Sequence, residues 1–231
     1  MFFPIPLELK TTVPAHTKAP AANALLIFLN VLIYVCGGFW PVGPGTGLLT
    51  IVLYGFTHFG WWHLVMNMWA LCVFGNPLNR RLGNSYYLLV YLGSLVFIGL
   101  VGRVLTTTCL VGASGAIFAV IIAALMLMPA AVLETAYLAL FPLSLLIGLV
   151  RRPAYGLNWF IAWGLVSAPA LACLVLIPLM ELSDWLFSAS YYGWAWSWGP
   201  AAHLLGMLCG VAAVLMLPAS VTLRRRAWAA V

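Results

Sequence analysis

The chain has 231 residues, 65% of them hydrophobic and only 6% charged, against roughly 25% charged residues in a soluble domain. So few charges cannot cover a water-facing surface, and the apolar runs are continuous rather than alternating, which excludes a β-barrel and points to membrane helices. The net charge of +6 does not mark a nucleic-acid site, because Lys10, Lys18, Arg80, Arg81, Arg151, Arg152 and Arg224 to Arg226 flank apolar runs as topological charge.

Residues 1–20 hold four prolines and two lysines. They have no basic start followed by an apolar core and a cleavage site, so they read as an irregular tail rather than a signal peptide. The first apolar span is expected over Ala21 to Cys36, ending at Gly37-Gly38. The Gly- and Pro-rich loop Pro41 to Gly47 cannot be regular helix, and Leu48 to Tyr54 reads as a partly buried loop segment or an interfacial turn.

Further spans are expected over Trp61 to Phe74, Tyr86 to Val101 and Val111 to Pro129. Tyr137 to Val150 is only about 14 residues long and contains Pro142, so it is expected to be interfacial or re-entrant rather than a full span. Asn158 to Met180 and Gly199 to Leu217 complete a set of six, with a loop from Glu181 to Trp198 that holds two acids and four tryptophans. The five cysteines form no CxxC and read as buried, inert apolar side chains.

The expectation is an all-α membrane protein, a polytopic six-helix transmembrane bundle over residues 21–217. Residues 1–20 and the basic residues 218–231 would form tails. With six spans the basic pairs and both termini share a side and only Arg103 lies opposite, so both termini are expected in the cytoplasm. The lipid bilayer is the expected environment, and a bacterial inner membrane is the expected location.

Ser114 is the only hydroxyl in Val111-Gly112-Ala113-Ser114-Gly115-Ala116-Ile117-Phe118. Flanking glycines serve close helix packing, and they also leave the hydroxyl clear for an approaching peptide. His203 lies in a span, where an ionisable side chain marks a functional site by default; a hydrogen bond to a neighbouring helix is the competing reading. His203, Gly206 and Gly210 share a helix face, and the two glycines let that face press against a neighbour, with the span of Gly112 and Gly115 the natural candidate. In the six-span arrangement Ser114 and His203 have similar depth, so the imidazole could take the serine proton.

His63 and Asn67 are four apart and share a face near the same end of their span. They read either as an interhelical polar contact or as donors for a developing oxyanion. His58, at the boundary, reads as an interfacial structural residue. The four carboxylates are Glu8, Glu134, Glu181 and Asp184. None sits beside another within an expected span, which excludes an aspartyl pair, and there is no HExxH for zinc. None falls where it could orient His203 from within the bundle, so the expected site is a serine–histidine dyad with no cofactor or metal.

Together these motifs resemble the rhomboid family of intramembrane serine proteases: HxxxN in the second span, GxSG opening the fourth and AHxxGxxxG in the sixth. The resemblance covers about Ala21 to Leu217. It implies Ser114 as nucleophile, His203 as general base, and an oxyanion hole of Asn67, His63 and the Ser114 backbone N–H. It implies that Phe118 packs on the histidine, and that single-span membrane proteins are cut near the outer face. The Glu181 to Trp198 loop would be the lid. A rhombosortase-like subtype fits the same motifs. A proteolytically inactive, client-binding member is the alternative reading, although that usually shows loss of the serine or histidine. Two departures stand out: Asn79 replaces the glutamate many bacterial members carry, and the loop Gly37 to Gly60 has no Trp-Arg pair.

Overall fold

A computed structural model of the chain describes residues 2–11, 19–140, 143–151, 161–192, 198–218 and 221. Lys18, Arg152, Asn158, Trp194, Trp196 and Arg224 to Arg226 lie outside the described residues, as does most of the expected C-terminal tail. In chain order the elements are strand β1 (Phe2–Lys10), α1 (Ala21–Val35), α2 (Thr50–Leu53) with a 3-10 turn (Tyr54–Phe56), and α3 (Trp61–Ala70). A π-helical turn (Leu71–Gly75) then leads into α4 (Asn76–Leu82), followed by α5 (Asn84–Leu105) and α6 (Ser114–Leu127). The chain continues through β2 (Val132–Leu140), α7 (Leu143–Arg151), β3 (Ile161–Pro169), α8 (Ala170–Tyr192) and α9 (Trp198–Met216).

Three helices, α5, α8 and α9, are long and apolar enough to cross a membrane, while α1 and α6 are shorter apolar helices. The protein is an integral membrane protein and mainly helical, but it is not all-α. The three strands form one antiparallel sheet in the order β1-β2-β3. This corrects two expectations.

The first concerns the segment Phe2–Lys10, expected to be irregular, which is an edge strand. An edge tolerates Pro4 and Pro6 because a proline lacks only the donor that an edge need not supply. Lys10 Nζ donates to Glu134 Oε1 at 2.6 Å, and Trp69 Nε1 donates to the Pro6 carbonyl at 2.6 Å, which ties the strand to α3.

The second concerns the stretch Tyr137 to Val150, which divides between β2 and α7. In β2 alternate residues turn inward, with Leu133, Tyr137 and Ala139 buried. Tyr137, Ala139 and Ala162 form a small satellite core on which Leu143 and Ile147 of α7 pack. The expected fifth span likewise begins as β3 and becomes helical only at Ala170.

At the opposite end from Ser114, asparagines close the start of α1. The first N–H groups of a helix have no intrahelical acceptor. Here Ala22 N donates to Asn84 Oδ1 (3.3 Å) and Asn23 N to Asn79 Oδ1 (3.1 Å). Asn23 Nδ2 donates to the Leu71 carbonyl (2.9 Å) and Asn76 Oδ1 (2.8 Å), and Tyr87 donates its hydroxyl to Asn23 Oδ1. The Leu71 carbonyl opens the π-turn, so this network holds α1 against the widened part of the helix. Asn79 thus has a structural task at the position where a glutamate is frequent in the family it resembles. The cysteines also depart from expectation: all five are free, but Cys36, Cys72 and Cys109 are exposed and only Cys173 is buried.

Candidate active site

The Gly- and Pro-rich loop is a scaffold for the residues before Ser114. Val42 and Leu110 exchange backbone hydrogen bonds (Val42 N to Leu110 O 3.0 Å, Leu110 N to Val42 O 2.8 Å), and Arg103 Nε donates to the Thr46 carbonyl at 2.7 Å. Gly112 N donates to the Tyr54 carbonyl at 3.0 Å, and the buried Tyr54 is anchored to α5 by its hydroxyl on the Leu95 carbonyl at 2.9 Å. Gly112 needs its glycine on two counts. Its φ is +108°, and a Cβ there would stand 2.6 Å from His63 Cε1. The His63 ring is therefore held against the backbone two residues before Ser114.

Ser114 is the first residue of α6, whereas the expected span began three residues earlier at Val111. Its backbone N–H consequently lies among the first-turn donors that a helix leaves without an internal partner, at the positive end of the helix dipole. The first backbone bond of α6 is Ile117 N to Ala113 O at 3.0 Å.

Helices α6 and α9 cross backbone to backbone. A Cβ on Gly206 would run into the Gly115 carbonyl oxygen, and one on Gly210 would lie 2.5 Å from the Ala119 carbonyl oxygen. A Cβ on Gly115 would in turn meet Ile98 Cδ1 at 2.9 Å and the Ala202 carbonyl at 3.2 Å. This small-residue seam sets His203 beside Ser114, with His203 Nε2 2.9 Å from Ser114 Oγ. Phe118, one turn along α6, stacks on the imidazole with ring centroids 4.3 Å apart and planes 29° apart.

The sequence-predicted residues Ser114, His203, Phe118, Gly112, Gly115, Gly206, Gly210 and His63 are thus gathered at one end of the bundle. Asn67 follows one turn after His63 on α3. It is only 6% exposed, and its Nδ2 has no hydrogen-bond partner among the described residues.

Two residues near the site remain, one read from the sequence as structural and one missed. His58 is 4% exposed, and its ring meets that of His63 edge-on at 5.0 Å between centroids. Neither ring nitrogen has a hydrogen-bond partner among the described residues. Burial pushes its pKa down to about 4, with the neighbouring His63 adding to the effect.

Glu181 is the one that was missed. The expectation that no carboxylate could orient His203 is overturned, because Glu181 Oε2 lies 2.9 Å from His203 Nδ1. Glu181 does not open a loop, as α8 runs through it to Tyr192, while 193–197 lie outside the described residues. The signal was present in the sequence. Ala170, Cys173, Leu174 and Ile177 form the inward face of α8 at helical spacing, and one more step arrives at Glu181.

Fold and site together define a mainly helical membrane protein that holds a serine in hydrogen bond with a histidine across two closely packed helices. The family model for the Rhomboid domain matches residues 45–220, and the chain belongs to the rhomboid family. No curated protein and no solved structure matches it.

Proposed function

We propose that this chain is an intramembrane serine endopeptidase. The observation that carries the reading is the 2.9 Å approach of His203 Nε2 to Ser114 Oγ, within the reach a general base needs. Ser114 Oγ attacks the scissile carbonyl while His203 takes its proton. The developing oxyanion is met by the Ser114 backbone N–H, the Asn67 amide and His63. The Asn67 Nδ2 supports that role: it is a buried donor with no hydrogen-bond partner among the described residues. The proton then passes from His203 to the leaving amine, and water repeats the cycle on the acyl-enzyme.

In this reading six segments cross the bilayer: α1, the α3–π–α4 run, α5, α6, α8 and α9. The sheet and α7 lie on the cytoplasmic side together with Lys10, Arg80, Arg81 and both termini, in a bacterial inner membrane. Helix α6 has 14 residues, so it spans only about 21 Å of a hydrocarbon core about 30 Å thick. Ser114 therefore sits below the outer surface, where a single-span membrane protein would be cut at a locally unwound stretch of its anchor. Residues 181–192 are helical, which counts against the flexible lid first expected there.

The test is labelling of the purified protein with a fluorophosphonate and cleavage of a panel of single-span membrane proteins in liposomes. Ser114→Ala is expected to abolish both. Undiminished cleavage by that variant sinks the proposal, and a folded wild type that neither labels nor cleaves would instead assign a client-binding role.

A further inference from the structure

We propose that Glu181 is a positioning residue for His203, so that the hydrogen-bonded chain runs Glu181–His203–Ser114 rather than stopping at two members. The inference rests on the protease reading for its consequences, but not for its geometry. Glu181 Oε2 and Ser114 Oγ stand 2.9 Å from the two different nitrogens of one ring, Nδ1 and Nε2. A carboxylate only accepts hydrogen bonds. The proton of the neutral ring therefore resides on Nδ1, donated to Glu181, and Nε2 turns its lone pair to the Ser114 hydroxyl. That is the tautomer a general base requires.

The arrangement is confined rather than a chance surface encounter. The Glu181 and His203 side chains are 20% and 23% exposed, and Phe118 covers one face of the ring. Glu181 is carried in by the inward face of α8, whereas Asp184, three residues on, faces outward and is exposed. Glu134, the carboxylate of β2, is engaged with Lys10. An acid inside a long apolar helix is costly unless it is paired and used; here its partner is His203, which is itself hydrogen-bonded to Ser114. As Ser114 Oγ bonds to the carbonyl carbon, its proton moves to Nε2 and the ring becomes a cation with both nitrogens protonated. Glu181 keeps its own charge and stabilises that cation until the Nε2 proton leaves with the amine.

Two readouts on the full-length protein test this, one of them independent of activity. In the first, the inactivation kinetics with a fluorophosphonate are split into kinact and KI. Glu181→Gln is expected to lower kinact about 10- to 10,000-fold, the range between an orienting partner and a wrong tautomer, with KI within about 2-fold. Glu181→Asp is expected to restore part of the loss, Asp184→Asn to label as wild type, and Glu181→Gln to add nothing in a His203→Ala background.

In the second readout, nitrogen-15 spectra of the labelled histidines, with His203 assigned by its loss in His203→Ala, are expected to show the Nδ1–H tautomer in wild type and its loss in Glu181→Gln. Wild-type kinact in Glu181→Gln, or an Nε2–H tautomer in the wild type, overturns the role of Glu181 and leaves the protease reading intact. A wild type that takes no phosphonate but shows the Glu181-dependent Nδ1–H tautomer supports the positioning role and sinks the protease reading instead.

Discussion

Gly206 and Gly115 meet backbone to backbone, and a single methyl on Gly206 would be driven into the Gly115 carbonyl oxygen. Ser114 precedes one of these glycines and His203 lies one turn before the other. The spacing of the two helices therefore sets the spacing of the serine and the histidine. Gly206→Ala is expected to push α9 away and cut the phosphonate labelling rate by about 100-fold, the scale of a 1 Å misplacement. Gly199→Ala, at a position where a Cβ meets nothing within 4 Å, is the control and is expected to label normally. A Gly206→Ala protein that labels at the wild-type rate would show that the seam does not set the site.

Two buried asparagines are expected to respond in opposite ways. Asn23 is fully engaged with the Leu71 carbonyl, Asn76 and Tyr87. Asn23→Ala takes away the acceptor of the buried Tyr87 hydroxyl and one of the donors to the Leu71 carbonyl, at a cost of about 1–3 kcal/mol in stability. Asn67 Nδ2 has no such partner among the described residues, so Asn67→Ala strands nothing there at that atom. It is expected to melt closer to wild type than Asn23→Ala does, while losing about 100- to 1,000-fold in cleavage rate, the cost of an oxyanion donor. Thermal unfolding in detergent beside cleavage assays separates the two effects.

Phe118 stacks on the His203 ring at 4.3 Å between centroids. A contact of this kind contributes about 0.5–1.5 kcal/mol beyond simple burial. Phe118→Leu keeps apolar bulk but gives up the stack, and a loss of about 3- to 10-fold in kcat is expected as the ring gains freedom. Phe118→Tyr retains the stack and is expected to stay within about 2-fold of wild type. Cleavage kinetics at saturating substrate measure both.

His58 gives the protein a pH-dependent stability. Its folded pKa is lowered from 6.5 to about 4, so between those values the unfolded chain binds more protons than the folded one. Stability then rises with pH across that window. The contribution is complete above about pH 6.5 and is lost as the pH falls toward 4, at no more than about 1.4 kcal/mol per pH unit. Unfolding followed from pH 7.5 to 4.5 is expected to show the decline, and His58→Gln is expected to flatten it. An equal decline in the variant would assign the effect to other groups.

The residues of the site were legible because each carries a local spacing: His63 and Asn67 one turn apart, glycines on either side of Ser114, His203 in line with Gly206 and Gly210. Each pattern is short enough to survive ignorance of where its helix begins. Glu181 lies on the inward face of α8, but a charge at the end of an apolar run looks like the edge of the membrane, so the span was ended at Met180 and that face was not followed to it. The helix carries on through Pro178 and past Glu181 to Tyr192. The sheet was missed for a related reason. β2 and β3 are apolar runs of nine residues, and period alone does not separate such a strand from a stretch of membrane helix. The pairing that decides between them is tertiary: β3 pairs with β2, and the other partner of β2 lies more than a hundred residues away, in β1.

That pairing bears on how the protein is made. β1 leaves the ribosome well before its partner β2, with α1 to α6 made in between, and Phe2 ends opposite Ala139 and Lys10 opposite Val132. Until then its N–H and C=O groups stand open, a template for any other strand that meets them. Helix insertion and strand closure are consequently separate events in the life of the chain. The bond between Lys10 and Glu134 can form only after α6, with Ser114 at its head, has been synthesised.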